Sequence, residues 1–485
     1  MEEPHSYDLV ILGGGAASFA AVTEASGRGL STAMVNTGLP LGGTCVNVGC
    51  IPSKHLLALG EKAAVPGENP FEAVRYSDGE PTVDWAVALD GTDRLVDQFR
   101  ESNYVDVAEH FETDIYEGYG QLTDETAIEV VDGPDEGVRI TGEKAIVATG
   151  SSPWAPPIDG LDEIDYYTSE TILEERDLPE SIVIVGGGYV ALEWGQILHR
   201  VGVGVTILQR SERVLSAMEG QLGRKLQRAF EAEGIDVVTG NDVQRVCAPA
   251  TDGGSEATQS GVAVETAVDG TERTVTADAL FVATGVRPNS GGIGLETAGI
   301  ETNDDGTIRV DEHFRTTNPD VYAAGDVIGE PELETVAAKE GNHAVKNAFG
   351  GEGVSIDYDA VPAVVFTSPE VASVGTTELE YTAEYGTCSC RTVQMDDVPR
   401  AKAVKNTDGL VQVLKHHETD EIVGVHMVGP RAADMISEAT LAVKFGLTVD
   451  DIIDTIHPFP TFSEAFKHAC QAFRRDTSKM SCCVE

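Results

Sequence analysis

Basic residues are scarce in this chain: 33 lysines and arginines stand against 81 aspartates and glutamates, a net charge of −48 over 485 residues. That deficit excludes the basic surface that binding to DNA or to an anionic membrane requires. The acid is spread along the chain rather than blocked, which argues against an acidic tail or a nucleic-acid mimic. An acidic, lysine-poor surface keeps a folded protein soluble in high salt, where long-range repulsion is screened, and so points to a halophilic cytoplasm. Long apolar runs are missing too; none has the length a bilayer span needs. The opening MEEPHSYDLVILGGG lacks a basic n-region and a cleavage site, which predicts an intracellular protein. There, the eight cysteines are expected to be catalytic or metal-handling rather than structural bridges.

What is present is a repeated pattern. The apolar run YDLVIL (Tyr7–Leu12) meets Gly13-Gly14-Gly15-Ala16-Ala17-Ser18, then an alanine-rich helical stretch, then STAMVN. SIVIV (Ser181–Val185) likewise meets Gly186-Gly187-Gly188-Tyr189-Val190-Ala191, a helix to about Val201 and the strand VGVTIL. Two strand–glycine turn–helix–strand units imply two nucleotide sites. AIVATGSSP (Ala145–Pro153) and ALFVATGVRP (Ala279–Pro288) read as the strands closing the two units, and VYAAGDV (Val321–Val327) as a further buried strand. Thr251–Ser260 reads as a surface loop. From about Ser355, VPAVVF, GLVQVLK and EIVGVHMVG read as antiparallel strands, with helices at Ala432–Phe445 and Ser463–Arg474. The expected fold class is α/β: two Rossmann-like βαβ nucleotide-binding domains and an α+β C-terminal interface domain. The boundaries expected are 1–152 with 281–354 for the first domain, 153–280 for the second, 355–474 for the interface domain and 475–485 for a tail.

In each unit a glycine turn lets the backbone approach a pyrophosphate held on the N–H groups of the following helix, which marks Gly13, Gly15 and Ala16, and Gly186 and Gly188. The second strand of such a unit normally ends in an acid that holds the ribose hydroxyls; here Asn36 stands there, uncharged. The second unit ends in Gln209-Arg210, with Arg213 near. No carboxylate and a cation favour a 2′-phosphate, hence NADPH. Between the units lies GGTCVNVGCIPSK (Gly42–Lys54), whose Cys45 and Cys50 occupy a turn entering a helix. A helix N-terminus lowers thiol pKa and so raises the thiolate fraction. Zinc is the alternative, but two cysteines without a second ligand pair are not a complete zinc site.

GGTCVNVGCIPSK resembles the redox-disulfide segment of the flavin disulfide oxidoreductases, the glutathione reductase and lipoamide dehydrogenase family. The order of motifs over nearly the whole chain is similar: glycine turn, cysteine pair, ATG strand, second glycine turn, second ATG strand, AAGD, interface domain. The resemblance implies FAD in the first site, with Gly43, Thr44, Lys54, Thr149, Gly150, Gly285 and Gly325 among the cofactor-binding residues and Asp326 near the ribityl chain. It implies Lys54 near flavin N5 and paired with Glu193, Cys50 against the flavin and Cys45 on the substrate side. It implies head-to-tail homodimers whose active sites are completed by the partner's C-terminal domain.

One departure changes the expected chemistry. Where the family's disulfide reductases carry a histidine base in a segment like HPTxSE, this chain has Phe459-Pro460-Thr461-Phe462-Ser463-Glu464. Phe459 cannot shuttle a proton, and His457, two residues out of register, is expected to be structural. The tail supplies Cys482 and Cys483, adjacent residues that bridge poorly to each other but suit a soft cation with linear coordination. With VPRA in the interface domain, these features resemble the mercury-reducing branch of the family, here without the N-terminal metal-binding domain its members often carry. That resemblance implies Hg(II), arriving as thiol complexes, as substrate and metal contacts at Cys45, Cys50, Cys482 and Cys483, with Tyr189 gating the flavin face. The alternatives are a lipoamide- or glutathione-type reductase and a non-catalytic soft-metal-binding flavoprotein. Cys247, Cys388, Cys390 and Cys470 fall outside these motifs and are expected to be ordinary thiols, although Cys388-x-Cys390 offers a further metal contact.

Overall fold

The computed structural model describes residues 5–68, 70, 81–249, 261–268 and 270–476. The Thr251–Ser260 loop and the Cys482–Cys483 pair therefore lie outside the described residues. The fold is mixed α/β. A seven-stranded sheet runs Asp114–Glu117, Thr32–Asn36, His5–Leu12, Arg139–Val147, Ala127–Asp132, Tyr119–Leu122, with Val321–Ala323 joining beside Arg139–Val147. The strands nearest the glycine turn are parallel, as crossover connections require. They are continuous apolar runs: Leu9 to Leu12 and Ala145 to Val147 are buried because both sheet faces are covered. A second, four-stranded parallel sheet is built on Ser181–Val185, Gly204–Leu208, Asp236–Val238 and Ala279–Val282. The third body is a five-stranded antiparallel sheet: Ala363–Val365, Glu370–Gly375, Ile422–Gly429, Leu410–Lys415, Cys390–Gln394.

The two ATG strands are shorter than their sequence suggests. Each breaks at its Ala-Thr-Gly, where Gly150 and Gly285 take positive φ (68° and 116°). The chain then resumes as Ser151–Pro153 and Val286–Pro288, which pair antiparallel with each other. VYAAGDV also stops early: the strand ends at Ala323, and Asp326–Ile328 is a 3₁₀ turn entered through Gly325. The last helix spans Glu464–Gln471, inside the expected Ser463–Arg474. A long helix, Trp85–Arg100, was not foreseen; it continues through a π-helical turn, Glu101–Val105, and brings Tyr104 under the cysteine segment. No helix among the described residues is long and apolar enough to cross a membrane.

Candidate active site

The glycine turns have the shape a pyrophosphate needs. Gly13 sits at φ +123°, and a Cβ there would lie 2.1 Å from the Ala148 carbonyl oxygen; Gly186, at φ +130°, would meet Ala283 in the same way at 2.1 Å. In both units the turn lies this close to the end of the neighbouring strand. The helices that follow, Ala16–Gly27 and Tyr189–Arg200, begin at Gly15 and Gly188 without any side-chain cap. Their first N–H groups are thus left for an anion. The residue closing each second strand packs on the middle glycine: Asn36, its last residue, on Gly14 and Gln209, just past Leu208, on Gly187. Beside Asn36 opens a cavity of about 580 Å³, lined also by Leu39, Arg100, Glu117, Tyr119 and Pro134. Glu117 is the register neighbour of Asn36 on the next strand, so a carboxylate absent from Asn36 is still present in that cavity. The residues of both turns therefore fit dinucleotides. In the second unit Arg210 is exposed, whereas Arg213 turns back, its Nη2 donating to the Ser216 carbonyl at 2.9 Å.

The cysteine segment is folded onto the first turn. Gly42 N donates to Gly14 O at 2.8 Å, and Gly43 and Thr44 enter a short helix, Gly43–Asn47, that carries Cys45. Cys50 opens the helix Cys50–Glu68, which places Lys54 one turn further on. Both cysteines are free thiols, and their sulfurs lie within 4.8 Å of each other and of a Glu334 carboxylate oxygen. The hydrogen bond from Cys45 holds the Cys50 thiol below its ordinary range, and the Lys54 charge helps. Cys45 is pushed the other way by Cys50, by burial and by Glu334, whose carboxylate accepts its S–H. Of the pair, Cys50 is thus the sulfur that ionises more readily and Cys45 the one that holds its proton more tightly.

Lys54 Nζ contacts Glu193 Oε2 at 2.7 Å, while Glu193 Oε1 accepts from Phe366 N at 2.9 Å. Glu193 is 3% exposed, so its charge is satisfied from two elements. Tyr189 opens the second unit's helix with an exposed ring; burial of its hydroxyl and the carboxylates of Glu332 and Asp326 keep it protonated. Asp326 Oδ2 accepts from Ser151 Oγ at 2.7 Å, and Gly325 N donates to the buried Glu340. Thr149 and Gly150 are tied to Asn289 by hydrogen bonds of 2.8 to 3.0 Å, which locks the two ATG segments together.

Two residues here, Glu334 and Glu332, escaped the sequence reading, whereas His457 takes the structural place expected of it. Glu334 opens the helix Glu334–Val345 and accepts from Tyr104 Oη at 3.2 Å as well as from Cys45. Glu332 is pushed up to about 7 by burial, with Asp326 and Glu330 adding to the effect. His457 is held at both nitrogens, Nε2 on Glu438 at 2.8 Å and Nδ1 on the Thr455 carbonyl at 3.0 Å, and Glu438 raises its pKa. Phe459 is exposed, half of its surface open. Cys470 is buried in the interface core and Cys247 lies beside Glu265.

Residues 7–341 match the family described as pyridine nucleotide-disulphide oxidoreductase, and residues 361–470 match its dimerisation domain. The chain belongs to the pyridine nucleotide-disulphide oxidoreductases. Its relatives in that family include a mercuric reductase of Streptomyces lividans, 40% identical over 99% of this chain and 98% of the relative. A mercuric reductase of Lysinibacillus sphaericus is 38% identical over 99% of this chain and 85% of the relative. The solved HOCl-induced flavoprotein disulfide reductase RclA of Escherichia coli superposes with a TM-score of 0.82 at 25% identity, covering 96% of this chain and 99% of that one. This oxidoreductase therefore carries its thiol pair, its two nucleotide turns and a dimerisation domain in one chain.

Proposed function

We propose that the protein is a mercury(II) reductase that uses FAD and NADPH: NADPH + Hg(II) → NADP⁺ + H⁺ + Hg(0). The observation that carries this reading is the site around the thiols. Two sulfurs and the Glu334 carboxylate converge on one point, while the position of a disulfide reductase's histidine holds Phe459. Thiolates are soft ligands suited to Hg(II). Reduction of an organic disulfide needs a base to carry protons between thiols, and neither Phe459 nor the doubly bound His457 serves.

FAD bound along the Gly13–Gly15 turn supplies the two-electron connection between NADPH and the thiol side. Gly13, Gly15 and Ala16 would hold its pyrophosphate, and Asn36, Gly43, Thr44, Thr149, Gly150, Gly285, Gly325 and Asp326 would line the rest of its site. Lys54, held by Glu193, keeps a positive charge beside Cys50. Gly186, Gly188 and Arg210 would hold NADPH, with Arg213 shaping the loop, and Tyr189, at the start of the same helix, would gate the nicotinamide. Hg(II) reaches the site on Cys482 and Cys483 of a second copy, then passes by ligand exchange to Cys45 and Cys50, so it is never free. As the metal binds, Glu334 accepts the Cys45 proton. The active unit is a homodimer, and the acidic surface suits a salt-rich cytoplasm.

The test is Hg(II)-dependent NADPH oxidation in molar KCl with excess thiol, beside lipoamide and oxidised glutathione. Mercury-dependent turnover, slowed in a Cys482→Ala, Cys483→Ala variant, supports both the reaction and the relay. Turnover with a disulfide but not with Hg(II) refutes the proposal.

A further inference from the structure

A second group of soft donors converges outside the glycine turns, on the interface-domain sheet. The helix Glu378–Tyr385 is opened by a Thr377 capping box, which places Glu378 at its first turn. The helix stops at Gly386, and the chain turns through Cys388 into the strand Cys390–Gln394. The carboxylate of Glu378 and the sulfurs of Cys388 and Cys390 all lie within 4.8 Å of one another. Cys388 Sγ donates to Glu378 Oε1 at 3.3 Å, and Gln412 Nε2 donates to Glu378 Oε2 at 2.9 Å. Gln412 is fully buried, and its Oε1 has no partner among the described residues. Cys388 is exposed, so one side of the group is open to water.

These distances suit a tetrahedral d¹⁰ ion. Metal–sulfur bonds of about 2.3 Å and metal–oxygen bonds of about 2.1 Å set ligand atoms roughly 3.6 Å apart. Three protein ligands and one open position complete the coordination. Burial, Cys390 and Glu378 push the Cys388 thiol up to about 12, and burial raises Cys390 too. Both thiols are therefore protonated at neutral pH, and only a strongly thiophilic cation displaces the protons.

We propose that Glu378, Cys388 and Cys390 form a binding site for a thiophilic d¹⁰ divalent cation such as Zn(II) or Cd(II), separate from the Cys45–Cys50 pair. Binding is an exchange: the cation takes two thiolates and one carboxylate and releases two protons to solvent. No electrons move.

The test titrates Cd(II) into full-length flavin-loaded protein carrying Cys482→Ala and Cys483→Ala, with Cys45 and Cys50 held as a disulfide, in molar KCl to suppress diffuse binding by the acidic surface. One Cd(II) per chain is expected, with the thiolate-to-cadmium charge-transfer absorption and two protons released. Adding Cys388→Ser and Cys390→Ser abolishes the absorption, and Glu378→Gln weakens binding by about tenfold or more. NADPH-driven flavin bleaching, unchanged in these variants, verifies their fold. Should the double serine variant not fold, Zn(II) must slow alkylation of Cys388 and Cys390 at least tenfold in the parent protein. No bound Cd(II), equal binding in the serine variant, or unchanged alkylation overturns the proposal.

Discussion

Replacing Lys54 with methionine and, separately, Glu193 with glutamine should move the Cys50 thiol in opposite directions. Lys54 lies one helical turn after Cys50, where Cβ atoms stand roughly 6 Å apart, and the two charges are taken at that separation. At an effective dielectric of about 20 this gives ~2.8 kcal/mol, or about 2 pKa units. A third of the Lys54 side chain is exposed (33%), so screening reduces the shift to about one unit. Lys54 lowers the Cys50 value and Glu193 raises it. Lys54→Met should therefore raise the Cys50 pKa by about one unit, and Glu193→Gln should lower it by a few tenths. Glutamine keeps the acceptor for Phe366 N, which spares the backbone contact. The assay is alkylation of the reduced protein against pH, read at the Cys50 peptide by mass spectrometry. Shifts of the same sign in both variants, or none in Lys54→Met, would refute an electrostatic role for the pair.

Gly13→Ala should give protein that fails to retain FAD on gel filtration, because its Cβ would collide with the Ala148 carbonyl at 2.1 Å. Arg210→Ala should raise KM for NADPH about tenfold, the effect of ~1.4 kcal/mol, and leave KM for NADH unchanged; equal changes would remove Arg210 from the phosphate site. The His457–Glu438 contact raises the folded-state pKa of His457. Its stabilisation is thus complete below about 6.5, the unfolded value, and is lost as pH rises through the folded value. His457→Gln should destabilise most in acid in thermal unfolding against pH, and a deficit growing with pH would contradict the ion pair. Glu334→Gln should slow Hg(II) turnover about tenfold, the loss of one charged hydrogen bond, while NADPH-driven flavin bleaching stays normal; full Hg(II) turnover would show that Cys45 loses its proton by another route.

The elements that were legible in the sequence are those whose signal is local. YDLVIL followed by three glycines is strand, turn and helix in one short stretch, and the structure has them at His5–Leu12 and Ala16–Gly27. GLVQVLK and EIVGVHMVG read as strands for the same reason. The ATG strands were read too long because apolar content does not reveal a break where the chain leaves one domain for another; only the pairing of Ser151–Pro153 with Val286–Pro288 shows it. Trp85–Arg100 escaped because Thr92 stands in its buried stripe of Trp85, Ala88, Leu89 and Val96, although Asp84 caps it by accepting from Val87 N.

Glu334 shows why the rest of the site was hidden. An acid at the start of a helix is the ordinary complement to the helix dipole, and nothing in PELETVAA distinguishes it from any other. Its meaning comes from Cys45, 289 residues away in sequence. Phe459 becomes intelligible from the same contact. A disulfide substrate leaves as a thiolate and must receive a proton, which calls for an imidazole that gives as well as takes. A metal ion binding to thiols only releases protons, and the carboxylate beside Cys45 can receive the one that thiol gives up. Phe459 in place of a histidine and Glu334 beside Cys45 thus fit the same chemistry: a site that only releases protons has no need of an imidazole that returns them, and a direct use for a carboxylate that takes one up.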